Sequence, residues 1–173
     1  EEDRRAYLEI IAEESERLAA LAGNTMLLSK LENQTILSEA EDYRLDKQIR
    51  QNIILLSSAW EEKKIQMDVD LEEITYHGNA DLMSHVWMNL LNNAIKFTPK
   101  HGIITVSMAK KEDKIKICFA DTGIGMSEED KKRIFQKYYQ ADTSHATKGM
   151  GLGLSIVYRI IEMCEGTITV DST

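Results

Sequence analysis

One helix decides most of what this chain can become. Between His85 and Phe97 the residues sort, at roughly 100° per residue, onto two sides. His85, Asn89, Asn92, Asn93 and Lys96 share one arc, while Met83, Val86, Trp87, Leu90, Leu91, Ala94 and Phe97 share the other. The apolar side requires a core to cover it. The polar side is unusual, because three asparagines in mid-helix oppose helix propensity and a merely solvated face is better served by Glu, Lys or Gln. Neutral amides beside a single lysine can coordinate a hard cation through oxygen and donate to phosphate. A ligand role and a solvated face stand about even for this arc taken alone. The helix is expected over 79–97 and ends at Thr98-Pro99, since proline disfavours helix at the residue before it.

The segments around it supply both layers of a sandwich. Ile65–Asp70 alternates apolar and polar, Ile74–Tyr76 is a short strand candidate, and Ile103–Ala109 and Ile115–Ala120 form two more, joined by the charged stretch Lys110–Lys114. Residues 46–62 read as an amphipathic helix carrying Ile49, Ile53, Leu56 and Trp60. A short helix is expected near 127–136 and a last one over 152–164, with Val157, Ile160, Ile161 and Cys164 on one face. Thr167–Val170 reads as the start of a further strand. Residues 140–151 are small, polar and Gly-flanked without an apolar period, which predicts a mobile loop. The expected fold is an α/β (α+β) two-layer sandwich: a mixed sheet covered on one face by about three helices.

Ahead of this unit, residues 3–33 read as one long helix. Tyr7, Leu8, Ile11, Leu18, Leu21, Thr25, Leu28 and Leu31 recur at steps of three, four and seven, with Gly23 the only weak point. So narrow a stripe on so long a helix requires a partner helix. Residues 1–33 are therefore expected to belong to a helical bundle, 34–43 to be a polar linker, and 44–173 to form the globular unit.

Composition removes several classes. With 173 residues, 43% of them hydrophobic, there is material for one ordinary domain and an appendage. A net charge of −8 disfavours nucleic acid or an anionic membrane as a partner held by the overall field. Neither an apolar run of about 20 residues nor a basic-apolar leader is found, so this part of the protein is expected in the cytoplasm. Cys118 and Cys164 lie in apolar runs without a C-x-x-C or histidine partner, and read as two reduced, buried thiols.

Two glycine motifs complete the chemistry. Asp121-Thr122-Gly123-Ile124-Gly125-Met126 follows a strand, where a carboxylate can accept from an exocyclic amine and glycines admit a flat ring. Lys148-Gly149-Met150-Gly151-Leu152-Gly153-Leu154-Ser155 opens a helix, where free amides and a lysine suit an anion. Each alone also fits an ordinary turn or close packing.

In this order and spacing, the asparagine helix, Asp-x-Gly-x-Gly and Gly-x-Gly-Leu-Gly-Leu resemble the GHKL ATP-binding superfamily, which includes histidine kinases, the DNA gyrase B subunit, MutL and heat-shock chaperones. Asn89-Leu90-Leu91-Asn92-Asn93-Ala94-Ile95-Lys96-Phe97-Thr98 resembles the N box of sensor histidine kinases, and Ile134-Phe135-Gln136-Lys137-Tyr138-Tyr139-Gln140-Ala141-Asp142 their F box. Leu27-Leu28-Ser29-Lys30-Leu31-Glu32 resembles the end of their second dimerisation helix. The resemblance implies binding of ATP with Mg²⁺, phosphoryl transfer to a histidine, a response regulator receiver domain as partner, and a homodimer through the helical bundle in the full-length protein. That protein would be open to a membrane anchor elsewhere. Asn89 would bind Mg²⁺; Asn93 and Lys96 would meet phosphate; Phe97 would line the pocket. Asp121 would recognise the adenine amine above Gly123 and Gly125. Tyr139 and Gln140 would begin a lid over 140–151, and Lys148, Gly149, Gly151, Leu152 and Gly153 would cradle phosphates.

The chain departs from the family pattern in places. Gln140 stands where many members carry Arg, and Phe97 where Tyr is more usual. Neither His77, His85, His101 nor His145 matches the context of the family's phosphate acceptor, so the acceptor is expected on a helix absent from this chain. His85 occupies the place where ATP-hydrolysing members resemble one another in carrying a water-activating Glu, which speaks against an ATPase. A pseudokinase-like docking module is the other alternative, supported only by Gln140. A dinucleotide-binding oxidoreductase fails, because the glycines neither follow the first strand nor space as G-x-G-x-x-G.

Overall fold

A computed structural model describes residues 2–33, 40–141 and 151–172. Its elements are α1 (Glu2–Glu32), β1 (Glu41–Arg44), α2 (Leu45–Leu55), α3 (Ser57–Glu62), β2 (Gln66–Leu71), β3 (Thr75–Gly78), α4 (Ala80–Phe97), β4 (Ile103–Lys111), β5 (Lys114–Asp121), α5 (Glu128–Arg133) and α6 (Gly153–Met163). β2 pairs parallel to β4, and β4 antiparallel to β5, giving a mixed three-stranded sheet. The alternation places Val69, Val106 and Phe119 in one cross-strand row, and Leu71, Met108 and Ile117 in the next. Those rows meet α4, which packs on β5 and is flanked by α2 and α6. Trp87 of α4 is buried, stacks on Phe119 at 5.9 Å, and donates its indole N–H to Gln48 Oε1 at 2.8 Å. The two-layer α/β expectation therefore holds.

Both ends of α4 are fastened. Asn79 Oδ1 accepts from the Leu82 amide at 3.0 Å. At the other end Lys63 Nζ donates to the carbonyls of Ile95, Lys96 and Thr98 at 2.6, 2.9 and 3.0 Å. A cation there satisfies carbonyls that lack helical partners and opposes the negative end of the helix dipole.

Several sequence expectations are corrected. The polar linker 34–43 contains the start of β1, which pairs antiparallel with β3. Side-chain pairs explain a strand so poor in apolar residues: Tyr43 meets Tyr76 edge-on at 5.9 Å, and Asp42 bonds His77 Nδ1 at 2.7 Å. The helix expected over 46–62 is two helices. The chain turns at Leu56, and Trp60 Nε1 donates at 3.1 Å to the Ile53 carbonyl. The β4–β5 connection is tighter than expected, with Lys111 paired to Lys114 across Glu112-Asp113. The helix near 127–136 covers only Glu128–Arg133. Among the described residues, Thr167–Val170 joins no sheet, since no neighbouring strand pairs with it.

Both thiols are exposed, against expectation. Cys118 is paired with Ser107 on the sheet face opposite Phe119, because strand side chains alternate. Cys164 falls just past the last residue of α6, where Glu165 at φ +54 turns the chain away.

The long helix is present as α1, and its stripe divides. Leu28 and Leu31 are buried and α1 packs along α6, whereas Tyr7, Leu8, Ile11 and Leu18 are exposed. Among the described residues, no helix is long and apolar enough to cross a membrane.

Candidate functional site: a cleft beside the asparagine face of α4

The polar face of α4 lines a cleft of about 430 Å³. Asn89, Asn92, Asn93, Lys96 and Phe97 come from α4; Asp121, Ile124, Gly125 and Met126 from the end of β5 and the turn after it. Tyr139, Gln140, Gly151 and Gly153 complete the wall beside α6. These residues, up to 64 positions apart in sequence between Asn89 and Gly153, thus line one cleft.

Local geometry explains the glycines. Gly123 N–H donates to Asp121 Oδ1 at 2.8 Å, folding the turn back on its own carboxylate. A methyl group on Gly123 would lie 2.9 Å from the Phe97 carbonyl oxygen, so the turn can approach α4 only without a side chain. Gly153 has the same role at the other end, where a Cβ would sit 2.5 Å from Asn89 Oδ1. Gly151 has φ +66, and its carbonyl accepts from the Tyr138 amide at 2.8 Å. That bond joins the two chain segments flanking residues 142–150.

The charged groups of the site are tuned by their surroundings. Lys96 Nζ lies 4.8 Å from the centre of the Phe97 ring, and burial lowers its pKa. Tyr139 Oη donates to Asp130 Oδ1 at 2.6 Å, with the Arg133 guanidinium 4.4 Å above the Tyr139 ring. Hydrogen bonds from Ser127 and then Tyr139 hold the Asp130 carboxyl below its ordinary value, and the same bond to Asp130 raises the Tyr139 phenol. Asn89 Nδ2 donates to the His85 carbonyl at 2.8 Å, which turns its amide oxygen toward Gly153.

Not every expected residue reaches the cleft. Gly123 does not line it, and the Leu152 side chain is fully buried in the core. Lys148, Gly149, His145 and most of the expected mobile loop lie outside the described residues. His85 is exposed and does not line the cleft. Sequence reasoning missed Asn24, Phe119, Asp130, Ile134 and Leu154, all of which do. Ser127-x-x-Asp130 before a helix is a legible capping box. Asn24, set between Leu21 and Leu28 on one helical face, had only its polarity to mark it. Among the described residues, no group of three or more His, Cys, Asp or Glu could hold a metal ion, and Asn89, the metal ligand the resemblance implied, lines the cleft.

Comparison with known proteins gives the family. Residues 78–173 match the model of the histidine kinase-, DNA gyrase B- and HSP90-like ATPases. The chain is 35% identical over 169 residues to the heme sensor protein HssS of Staphylococcus saprophyticus, covering 98% of this chain and 36% of that one. It is 29% identical over 169 residues to the sensor-like histidine kinase SenX3 of Mycobacterium tuberculosis, covering 96% of this chain and 41% of that one. The chain thus spans between about a fifth and two fifths of the length of the curated relatives it matches. Among solved structures, the catalytic domain of the histidine kinase ThkA superposes with a TM-score of 0.66 at 26% identity, over 73% of this chain and 82% of that one. Full-length ShkA superposes with a TM-score of 0.81 at 23% identity, over 97% of this chain and 36% of that one, a likeness of fold. From the residues of the cleft and the match over 78–173, the chain belongs to the histidine kinase-, DNA gyrase B- and HSP90-like ATPase family.

Proposed function

We propose that this chain is the ATP-binding catalytic portion of a two-component sensor histidine kinase, which transfers the γ-phosphoryl group of Mg-ATP to a histidine outside the chain for relay to a response regulator. The observation that carries the reading is the convergence of Asn89, Asn93, Lys96, Asp121 and Gly153 about one cleft, with the Gly123 turn packed closely on the end of α4. Asp121 accepts from the adenine amine while the turn at Gly123–Gly125 lies under the base. Asn93 and Lys96 would donate to phosphate, and Asn89 would hold Mg²⁺ through its amide oxygen. Bound there, the ion would neutralise charge on the β- and γ-phosphates. Residues 1–33 belong to the helical bundle through which the full-length protein dimerises and presents its acceptor.

Transfer requires little covalent chemistry from these residues. The bond from γ-phosphorus to the bridging oxygen breaks, a bond to an imidazole nitrogen forms, ADP leaves and the imidazole N–H proton goes to solvent. The chain supplies placement and charge complementarity. Hydrolysis is disfavoured because, among the described residues, the carboxylates lining the cleft are Asp121, bonded to Gly123, and Asp130, bonded to Ser127 and Tyr139. Neither is a free base beside Asn89.

Calorimetric titration with ATP, with and without Mg²⁺, tests the reading. Asn89→Ala is expected to weaken Mg-ATP by at least about tenfold and to abolish the Mg²⁺ dependence. Asp121→Asn is expected to weaken adenine nucleotides more than guanine nucleotides. Unchanged affinity in both variants rejects the assignment. With radiolabelled ATP, label should pass to a separately supplied acceptor helix; rapid phosphate release to water would instead identify an ATPase.

A further inference from the structure

We infer that α1 forms part of the nucleotide site, with Asn24 contacting the polyphosphate end of the ligand, so that nucleotide binding and docking of α1 onto the catalytic unit are coupled. The inference rests on the nucleotide reading above and adds to it a residue from outside the catalytic unit.

Three contacts hold the C-terminal half of α1 in place. Leu28 and Leu31 are buried, Leu31 fully. Arg159 of α6 donates to the Leu31 carbonyl at 3.4 Å. Glu32 pairs with Lys137, just before the Tyr138-Tyr139 segment that enters the cleft. Helix rise then sets the level of Asn24. Asn24 lies seven residues before Leu31 and Gly153 six before Arg159, or about 10 and 9 Å along their axes. Since Asn24 and Gly153 line the same cleft, α1 runs beside α6 in the same direction. Asn24 therefore stands level with the start of α6. That is also where Gly153 abuts Asn89 Oδ1.

A neutral amide at this level can donate to phosphate oxygen or offer its own oxygen to a cation. It is far from Asp121 in role: the base-recognising turn is built by α4 and β5, with which α1 makes no such bond among the described residues. Docking uses the face of Leu21, Asn24, Leu28 and Leu31. The exposed Tyr7, Ile11 and Leu18 point about 100° around the helix from it. A partner helix can occupy that second stripe while α1 stays docked. Reciprocity follows from linkage: if a docked α1 tightens the nucleotide, the nucleotide tightens the docking by the same factor.

Titration of the full chain with Mg-ATP and with AMP tests this. Asn24→Ala should weaken Mg-ATP roughly two- to tenfold and leave AMP unchanged. Glu32→Lys should weaken Mg-ATP about two- to fivefold, and adding Lys137→Glu should restore it, an outcome that a merely local defect would not give. In hydrogen exchange, Mg-ATP but not AMP should protect residues 20–32. Unchanged Mg-ATP affinity in Asn24→Ala, or equal losses for AMP and Mg-ATP, overturns the inference while the nucleotide reading stands. A parent chain that binds neither ligand rejects the nucleotide reading itself, and this inference with it.

Discussion

The two ends of the cleft are built on different principles. At the Asp121 end, backbone is tied at short range: Lys63 gathers three carbonyls around the end of α4, Gly123 N–H meets Asp121, and Thr122 Oγ1 accepts from the Ile103 amide at 2.9 Å. At the Gly153 end, side chains from separate elements meet: Asn24 of α1, Lys137 with Glu32, and Tyr139 with Asp130 and Arg133. The first end is held by backbone around the end of α4, and the second is an interface between elements. Fixed geometry suits recognition of a flat ring, whereas contacts through exposed side chains break cheaply and suit a surface whose neighbours change.

Lys63→Met should break that contrast most visibly. It leaves three carbonyls at the end of α4 without their cation, at a cost of about 2 kcal/mol. The expected result is a lower urea midpoint with an unchanged m-value, together with weaker binding of every adenine nucleotide, AMP included. A variant as stable as its parent would mean that the three bonds are replaced by water at no cost.

Gly123→Ala acts on the same end by adding bulk beside the oxygen that accepts from its own amide. The added methyl group meets Asp121 Oδ1, which must turn away, and the Phe97 carbonyl oxygen at 2.9 Å, a backbone atom that cannot rotate aside. Overpacking of this sort costs about 1 kcal/mol or slightly more. Because the turn can move away from α4, the loss should show in nucleotide affinity rather than in melting temperature. Equal affinity would mean that the turn tolerates a wider gap from Phe97.

How far the sequence reveals these two ends follows from the same contrast. Periodicity and propensity are local, so α4 with its stop at Pro99, the alternation of β4 and β5, and the turn from Asp121 to Gly125 were all legible. The two faces of α4 implied both a core and a cleft. What depends on long-range partners was not. Glu41–Arg44 becomes a strand only because Tyr76 and His77 lie opposite it. Lys63 reads as an ordinary surface lysine until α4 ends beside it. Asn24 lies 65 positions before Asn89, and nothing local ties the two together. Cys118 misled because an apolar run was read as buried on both faces, although strict alternation of Ile115, Ile117 and Phe119 already assigned it to the other side.

The smallest effect belongs to Tyr139→Phe, which tests the interface character of the Gly153 end. Asp130 accepts from Ser127 Oγ at 2.5 Å and from Tyr139 Oη at 2.6 Å, and these bonds favour its charged form. Its carboxyl is therefore lower in the folded chain than in the unfolded one, near 3.9. The stabilisation so gained is fully present above that unfolded value and is lost as pH falls through the folded one. At neutral pH the link is intact, and it opens only in acid below about pH 4. Tyr139→Phe keeps the ring under Arg133 and removes one of three bonds to the carboxylate, leaving those from the Ser127 hydroxyl and amide, so Asp130 should titrate closer to its ordinary value while the fold at pH 7 is unchanged. Carboxyl-carbon resonances followed from pH 7 to pH 2 would report it. The parent and variant should differ most just below pH 4 and agree once both are protonated. Identical titration of Asp130 in the two chains would show that the Tyr139 bond contributes nothing to the Asp130 carboxylate in solution.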